Sequence, residues 1–163
     1  MSHTPTRQRL PRCRQGTTHS VEVNGASVFM TTNEFADGRP GEVFAKWGKE
    51  GSTAGGLMDA FSIVLSLALQ YGVPAEVIVS KLKDMRFEPF GLTDDADIPE
   101  ATSVMDWLAR RLALDYLPAD ARAQLGVFSF DEQARKLPGA PGGASRATLG
   151  SAQDVSRNAT SRA

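Results

Sequence analysis

Val21-Glu22-Val23-Asn24-Gly25-Ala26-Ser27-Val28-Phe29-Met30 is the stretch that decides the fold. Apolar residues alternate with polar ones up to Asn24-Gly25 and resume at Val28 and Met30. Asn-Gly supplies two residues that tolerate positive φ, which is what a two-residue hairpin turn needs. A second turn, Ala36-Asp37-Gly38, leads into Glu42-Val43-Phe44-Ala45-Lys46-Trp47. These segments predict a three-stranded antiparallel meander. Val21, Val23, Val28 and Met30 are expected on its buried face, joined from the third strand by either Val43, Ala45 and Trp47 or Phe44.

Three helices are expected to follow. The first, Ala54 to Tyr71, is apolar nearly all round, with Asp59, Ser62, Ser66 and Gln70 in one narrow stripe, so it should be buried on most sides. Gly72 reads as its left-handed stop, and Pro74 suits the first turn of a second helix reaching Lys83. The third, Pro99 to Tyr116, opens on Asp97-Ile98-Pro99-Glu100, where Asp97 can cap and Glu100 can reach back. A short helix from Ala119 to Leu125 is a further option. From Leu137 onward Gly, Ala, Ser and Pro dominate, and such a segment buries too little to offset its backbone entropy. The chain therefore reads as α+β. Residues 1–15 form a basic flexible arm, 16–117 the folded domain, and 118–163 a short helix followed by a disordered Gly/Ala/Ser-rich tail.

At 163 residues and 41% apolar content, one domain with a packed core is the default. The single cysteine, Cys13, excludes an internal disulfide and a multi-cysteine metal site, and neither His3 nor His19 stands at ligand spacing from it. No metal site is expected, and a reducing cytoplasm is the expected compartment. The basic N-terminus has no apolar run after it, which argues against a secretory signal. The apolar stretch Leu57 to Leu69 is interrupted by polar residues and shorter than the roughly 18 residues of a membrane span, so no membrane is expected as a partner. Charge is segregated: Arg7, Arg9, Arg12 and Arg14 stand without an acid in the first 14 residues, while residues 15–130 hold nine basic and sixteen acidic groups. A basic arm on an acidic body suits a polyanion, a nucleotide or an acidic partner, and the plainer reading is the remnant of an interdomain linker.

Four segments, in order, carry a family resemblance: Leu10-Pro11-Arg12-Cys13-Arg14-Gln15-Gly16-Thr17; Phe29 through Phe44; Lys49-Glu50-Gly51-Ser52 with Leu67-Ala68-Leu69-Gln70-Tyr71-Gly72-Val73-Pro74; and Arg86-Phe87-Glu88-Pro89-Phe90-Gly91 with Ala101 through Leu108. Together they resemble the C-terminal, TSCPD-type domain of adenosylcobalamin-dependent (class II) ribonucleotide reductases. The resemblance implies a system that makes deoxyribonucleotides for DNA synthesis. Adenosylcobalamin would be bound by a partner catalytic chain, the barrel, and no cofactor by this chain. Reduction in that family uses one cysteine as the thiyl radical and a further pair that becomes a disulfide. Cys13 cannot fill those roles alone, and Gly51, Ser52 and Phe87 stand where some relatives carry cysteines. The expectation is a standalone accessory or regulatory module with no catalytic residues of its own. The alternative is a repurposed nucleotide- or nucleic-acid-binding module without a reductase partner. A homo-oligomer held by the apolar surface of the long helix is a third option.

The residues themselves offer one anion-binding candidate, Lys46-Trp47-Gly48-Lys49-Glu50-Gly51-Ser52-Thr53-Ala54-Gly55-Gly56. Helix N-terminal N–H groups, small residues and two lysines suit a phosphate, with Lys46, Lys49, Gly51, Ser52 and Thr53 as contacts. The segment lacks the Gly-Lys-Ser/Thr ending of a P-loop, and the plainer reading is a turn that Ser52 or Thr53 caps. Arg86, between aromatics, is a further candidate for a base or phosphate; the alternative has Phe87 and Phe90 plugging the core. Glu100 and Asp106, six apart, lie on different helix faces and make no acid/base pair. Arg110 and Arg111 suit the dipole of their helix, and His19 reads as an exposed strand residue.

Overall fold

The computed structural model describes residues 5–136; residues 1–4 and the expected tail from Leu137 onward lie outside them. β1 (Gly16–Val23), β2 (Ala26–Glu34) and β3 (Pro40–Trp47) form an antiparallel sheet in the order β1-β2-β3. Asn24 (φ 48°) and Gly25 (φ 79°) make the first turn, so Val21 pairs with Val28 and His19 with Met30. That register puts Val21, Val23, Val28, Met30, Val43 and Ala45 on one dry face, each at most 1% exposed, and leaves Phe29 and Phe44 on the outer face. Trp47 is half-buried.

β3 is an edge strand, and α1 (Thr53–Gln70) covers its free edge with side chains. The Val43 N–H donates to Ser66 Oγ (3.0 Å) and Ser66 Oγ donates back to the Val43 carbonyl. The Ala45 N–H donates to Ser62 Oγ (2.9 Å), and Gln70 Nε2 donates to the Gly41 carbonyl (3.0 Å). The two elements match in pitch: four helical residues rise about 6 Å and two strand residues about 6.6 Å, so residues 62, 66 and 70 meet 45, 43 and 41 in turn. The polar stripe therefore faces the sheet, and α1 is less buried than its composition predicts: Leu57, Ile63 and Val64 are 66%, 60% and 65% exposed.

α2 (Ala75–Leu82) follows, and then two-residue strands β4 (Gly91–Leu92) and β5 (Glu100–Ala101) pair antiparallel. This pairing corrects the expected start of the third helix. Glu100 and Ala101 are extended, and α3 runs Val104–Tyr116 with Ser103 as its cap, accepting from the Asp106 N–H at 3.0 Å. Glu100 is thus not helical at all. α3 is the centre of the core: Val104, Trp107, Leu108, Ala109, Leu112 and Ala113 are fully buried with the inner face of the sheet.

The fold continues past the boundary at 117 suggested by the sequence. α4 (Ala119–Gln124) and α5 (Phe130–Lys136) follow, and Val127 between them is 2% exposed. At the other end, described residues of the basic segment touch the body. The Gln8 N–H donates to the Gln70 carbonyl (2.8 Å), Arg7 Nε donates to Gln70 Oε1 (2.6 Å), and Arg14 pairs with Glu42.

Candidate functional site

The β3–α1 junction forms because Gly48 (φ 81°) and Gly51 (φ 78°) take conformations that L side chains resist. They turn the chain so that Ser52 caps α1. Its Oγ accepts the Gly55 N–H (3.1 Å) and donates to the Lys49 carbonyl (2.6 Å). Around this cap lies an open cavity of about 480 Å³ that brings together Lys46, Lys49, Gly51 and Ser52. Neither Thr53 nor Arg86 lines it. Its electrostatics are mixed. Lys46 Nζ lies 2.5 Å from Asp59 Oδ1, and Glu50 is on the wall. Lys49 makes no ion pair among the described residues. Capping by Ser52 also engages one of the N–H groups that a phosphate would take.

Trp47 also lines a second cavity, of about 630 Å³, together with Asn24, Ala26, Glu88, Pro89 and Phe90. Phe90 is 45% exposed, so it does not plug the core as expected, while Phe87 is half-buried. Arg86 is exposed and has no ion-pair partner among the described residues.

Two charge networks around α3 went unread in the sequence. Asp106, fully buried, accepts through Oδ1 from the Asp84 N–H (2.7 Å) and Arg110 Nε (2.8 Å), and through Oδ2 from the Thr102 N–H (3.0 Å). Arg110 also reaches Asp84, whose carboxyl is held below its usual value by the Lys83 ammonium and then by Arg110. Arg111 meets Asp95, Asp97 and Asp115, and Asp95 in turn accepts from the buried Trp107 indole N–H at 3.0 Å. Burial opposes the Arg111 charge, but the carboxylates, Asp115 first, outweigh it and raise its pKa. Arg110 and Arg111 thus do more than complement a helix dipole. The i, i+4 spacings of Asp106 with Arg110 and of Arg111 with Asp115 were the available signal.

His19 corrects another expectation: it sits on the inward side of β1, with Nε2 2.9 Å from Asp115 Oδ2. The approach is off-line, and Nε2 has no aligned hydrogen bond. Tyr116 donates to Glu34 Oε1 (3.0 Å), and burial with that carboxylate raises its pKa far above the ordinary phenol value. These groups tie α3 to the sheet, and none of them opens into the cavities around Trp47. Cys13 is exposed, and no group of three or more His, Cys, Asp or Glu side chains that could hold a metal occurs among the described residues.

The TSCPD domain model matches residues 3–116. Over 137 residues, 84% of this chain, the sequence is 53% identical to a protein of Streptantibioticus cattleyicolor named vitamin B12-dependent ribonucleotide reductase, covering 23% of that protein. A Streptomyces coelicolor protein of the same name is 52% identical over 137 residues, 14% of its length. One from Rhodopirellula baltica is 46% identical over 147 residues, again 14% of its length. The chain therefore spans less than a quarter of the curated relatives it matches. No solved structure matches it.

Proposed function

The chain belongs to the TSCPD domain family, and on that premise we propose that it is an accessory, regulatory module of a vitamin B12-dependent ribonucleoside-diphosphate reductase, serving deoxyribonucleotide supply for DNA synthesis. The observation that carries this reading is the identity of about half to segments of such reductases, extending over 84% of the chain. The module does no chemistry alone. Reducing a ribose by a dithiol requires a sulfur pair, and Cys13 is the one cysteine in the sequence, exposed near the N-terminus.

Adenosylcobalamin belongs to the partner chain in this reading. Five open grooves among the described residues measure about 260 to 630 Å³, and His19, the described imidazole, faces Asp115 inside the fold. The test is ribonucleotide reduction with adenosylcobalamin and dithiothreitol. The pure chain should give no deoxynucleotide, and addition to the source organism's reductase should change its rate or effector response. Turnover by the pure chain, or indifference of the reductase to it, would overturn the proposal.

A second reading is favoured by Trp47, which lines both cavities. A nucleobase stacked against Trp47 and Phe90 would place its phosphates toward Lys46, Lys49, Gly51 and Ser52, with Thr53 and Arg86 outside the contact set. Titration of ATP and dATP against wild type and a Lys46→Ala, Lys49→Ala double variant decides it. Binding should weaken in the variant and with added salt, and equal affinity in the two proteins rules the loop out.

A further inference from the structure

Helix α1 is inverted relative to an ordinary surface helix. Six of its eighteen residues are buried, and three of the six, Ser62, Ser66 and Gln70, are polar. They face inward because the edge of β3 needs their hydrogen bonds. The opposite side is left apolar and outside, with Leu57, Ile63 and Val64 at 60% exposure or more and Tyr71 at 46%. The helix contains no Lys or Arg, and its one acid, Asp59, is paired with Lys46. A helix apolar on its outer face is built to be covered.

The surface continues onto the sheet. Asp59 reaches Lys46 on the outer face; Ile63 lies one helical turn on, and Phe44 two residues back along the antiparallel strand, so the two stand level. Phe44 is 42% exposed and Phe29, paired with Lys46, is 46% exposed. Exposed apolar side chains on the helix and on the back of the sheet therefore flank one surface ion pair, Lys46 with Asp59.

We propose that this surface docks against the remainder of a vitamin B12-dependent reductase polypeptide, through an apolar, uncharged area of that partner; the inference rests on the accessory-module reading. In the relatives, the matching segment is 9–23% of the polypeptide, so a much larger body accompanies it. A second copy pairing α1 on α1 would leave Phe29 and Phe44 uncovered. Residues 137–163 hold only Leu137, Leu149 and Val155 as large aliphatic side chains, too few to cover it. A lipid surface favours helices edged with Lys and Arg, which α1 lacks, although its length and composition match those of a membrane span.

The test places photoreactive benzoylphenylalanine at Val64, and in a control at the exposed Asp120, in the full chain expressed in its source organism. Adducts are identified by mass spectrometry. The Val64 probe should form adducts with reductase peptides at about tenfold the yield of the control, and adding Leu57→Glu should lower that yield about tenfold with an unchanged circular-dichroism melt. Adducts to a second copy or to lipid, or equal yields at both positions, would overturn the docking surface. Reductase adducts from Asp120 alone would overturn the surface and leave the accessory reading standing. No reductase adducts from either position would sink both.

Discussion

Among single residues, Asp106 combines the most partners with the least solvent. Its carboxylate accepts from two backbone N–H groups and one guanidinium while fully buried, tying the α2–β4 connection, the turn before α3 and α3 itself to one side chain. Asp106→Ala would strand those donors, and we predict a loss of about 3 kcal/mol in urea unfolding. Asp106→Asn keeps the shape and should lose less. Glu132 offers a test by pH. Its carboxyl is held down to about 2, first by the Arg122 guanidinium and then by the Ser129 N–H, against an ordinary value of 4.5. A depressed carboxylate contributes stability above its unfolded pKa and loses it as pH falls toward the folded value. Wild type should therefore exceed Glu132→Gln in melting temperature at neutral pH, with the gap closing between 4.5 and about 2. A gap constant through that window would show that the pair does not couple to folding.

At the scale of elements, the serines of α1 act as a surrogate strand. Covering an edge by a helix normally uses bulk; here hydroxyls on successive turns complete the hydrogen bonding of alternate β3 residues. Ser66→Val should leave the Val43 N–H and C=O buried without partners, costing about 1–3 kcal/mol in urea denaturation and speeding hydrogen exchange at Val43. Unchanged exchange there would contradict the role. The 59/62/66/70 stripe was visible in the sequence, but its direction was not, because amphipathic reasoning assigns polar residues to water unless a sheet edge is known to be waiting. The hairpin was legible because Asn24-Gly25 specifies its turn locally. The start of α3 was not, because Asp97-Ile98-Pro99-Glu100 imitates a cap, and only the pairing of Glu100 and Ala101 with Gly91 and Leu92 shows the segment to be extended. α5 had its own signal in Ser129 and Glu132, a capping box in which the Ser129 N–H donates to Glu132 and the Glu132 N–H to Ser129 Oγ. At the candidate site the glycines and Ser52 were legible, while the pairing of Lys46 with Asp59 depends on how α1 docks.

For the molecule as a whole, the question is where the cooperative unit ends. A boundary at 117 cuts through a packed region. Val127 enters the core, Arg122 forks onto Glu132 with bonds of 2.7 and 2.9 Å, and α5 is fastened to the loop before β5 by the Phe130 N–H on Asp97 Oδ1 and Gln133 Nε2 on the Asp97 carbonyl. Asp97 also meets Arg111, so the C-terminal helices and the α3 network share one carboxylate. We predict that a chain ending at residue 117 is less stable than one ending at 136 by about 2–4 kcal/mol, from the exposure of Val127 and the surface beneath it together with the lost ties to Asp97. Guanidinium unfolding of the two chains measures the difference. Limited proteolysis gives an independent check: if α4 and α5 belong to the same unit, cleavage between Leu117 and Lys136 should be slow under native conditions and accelerate together with global unfolding. Rapid trimming to residue 117 with an unchanged melting temperature would place these helices outside the core, and the shorter boundary read from the sequence would stand.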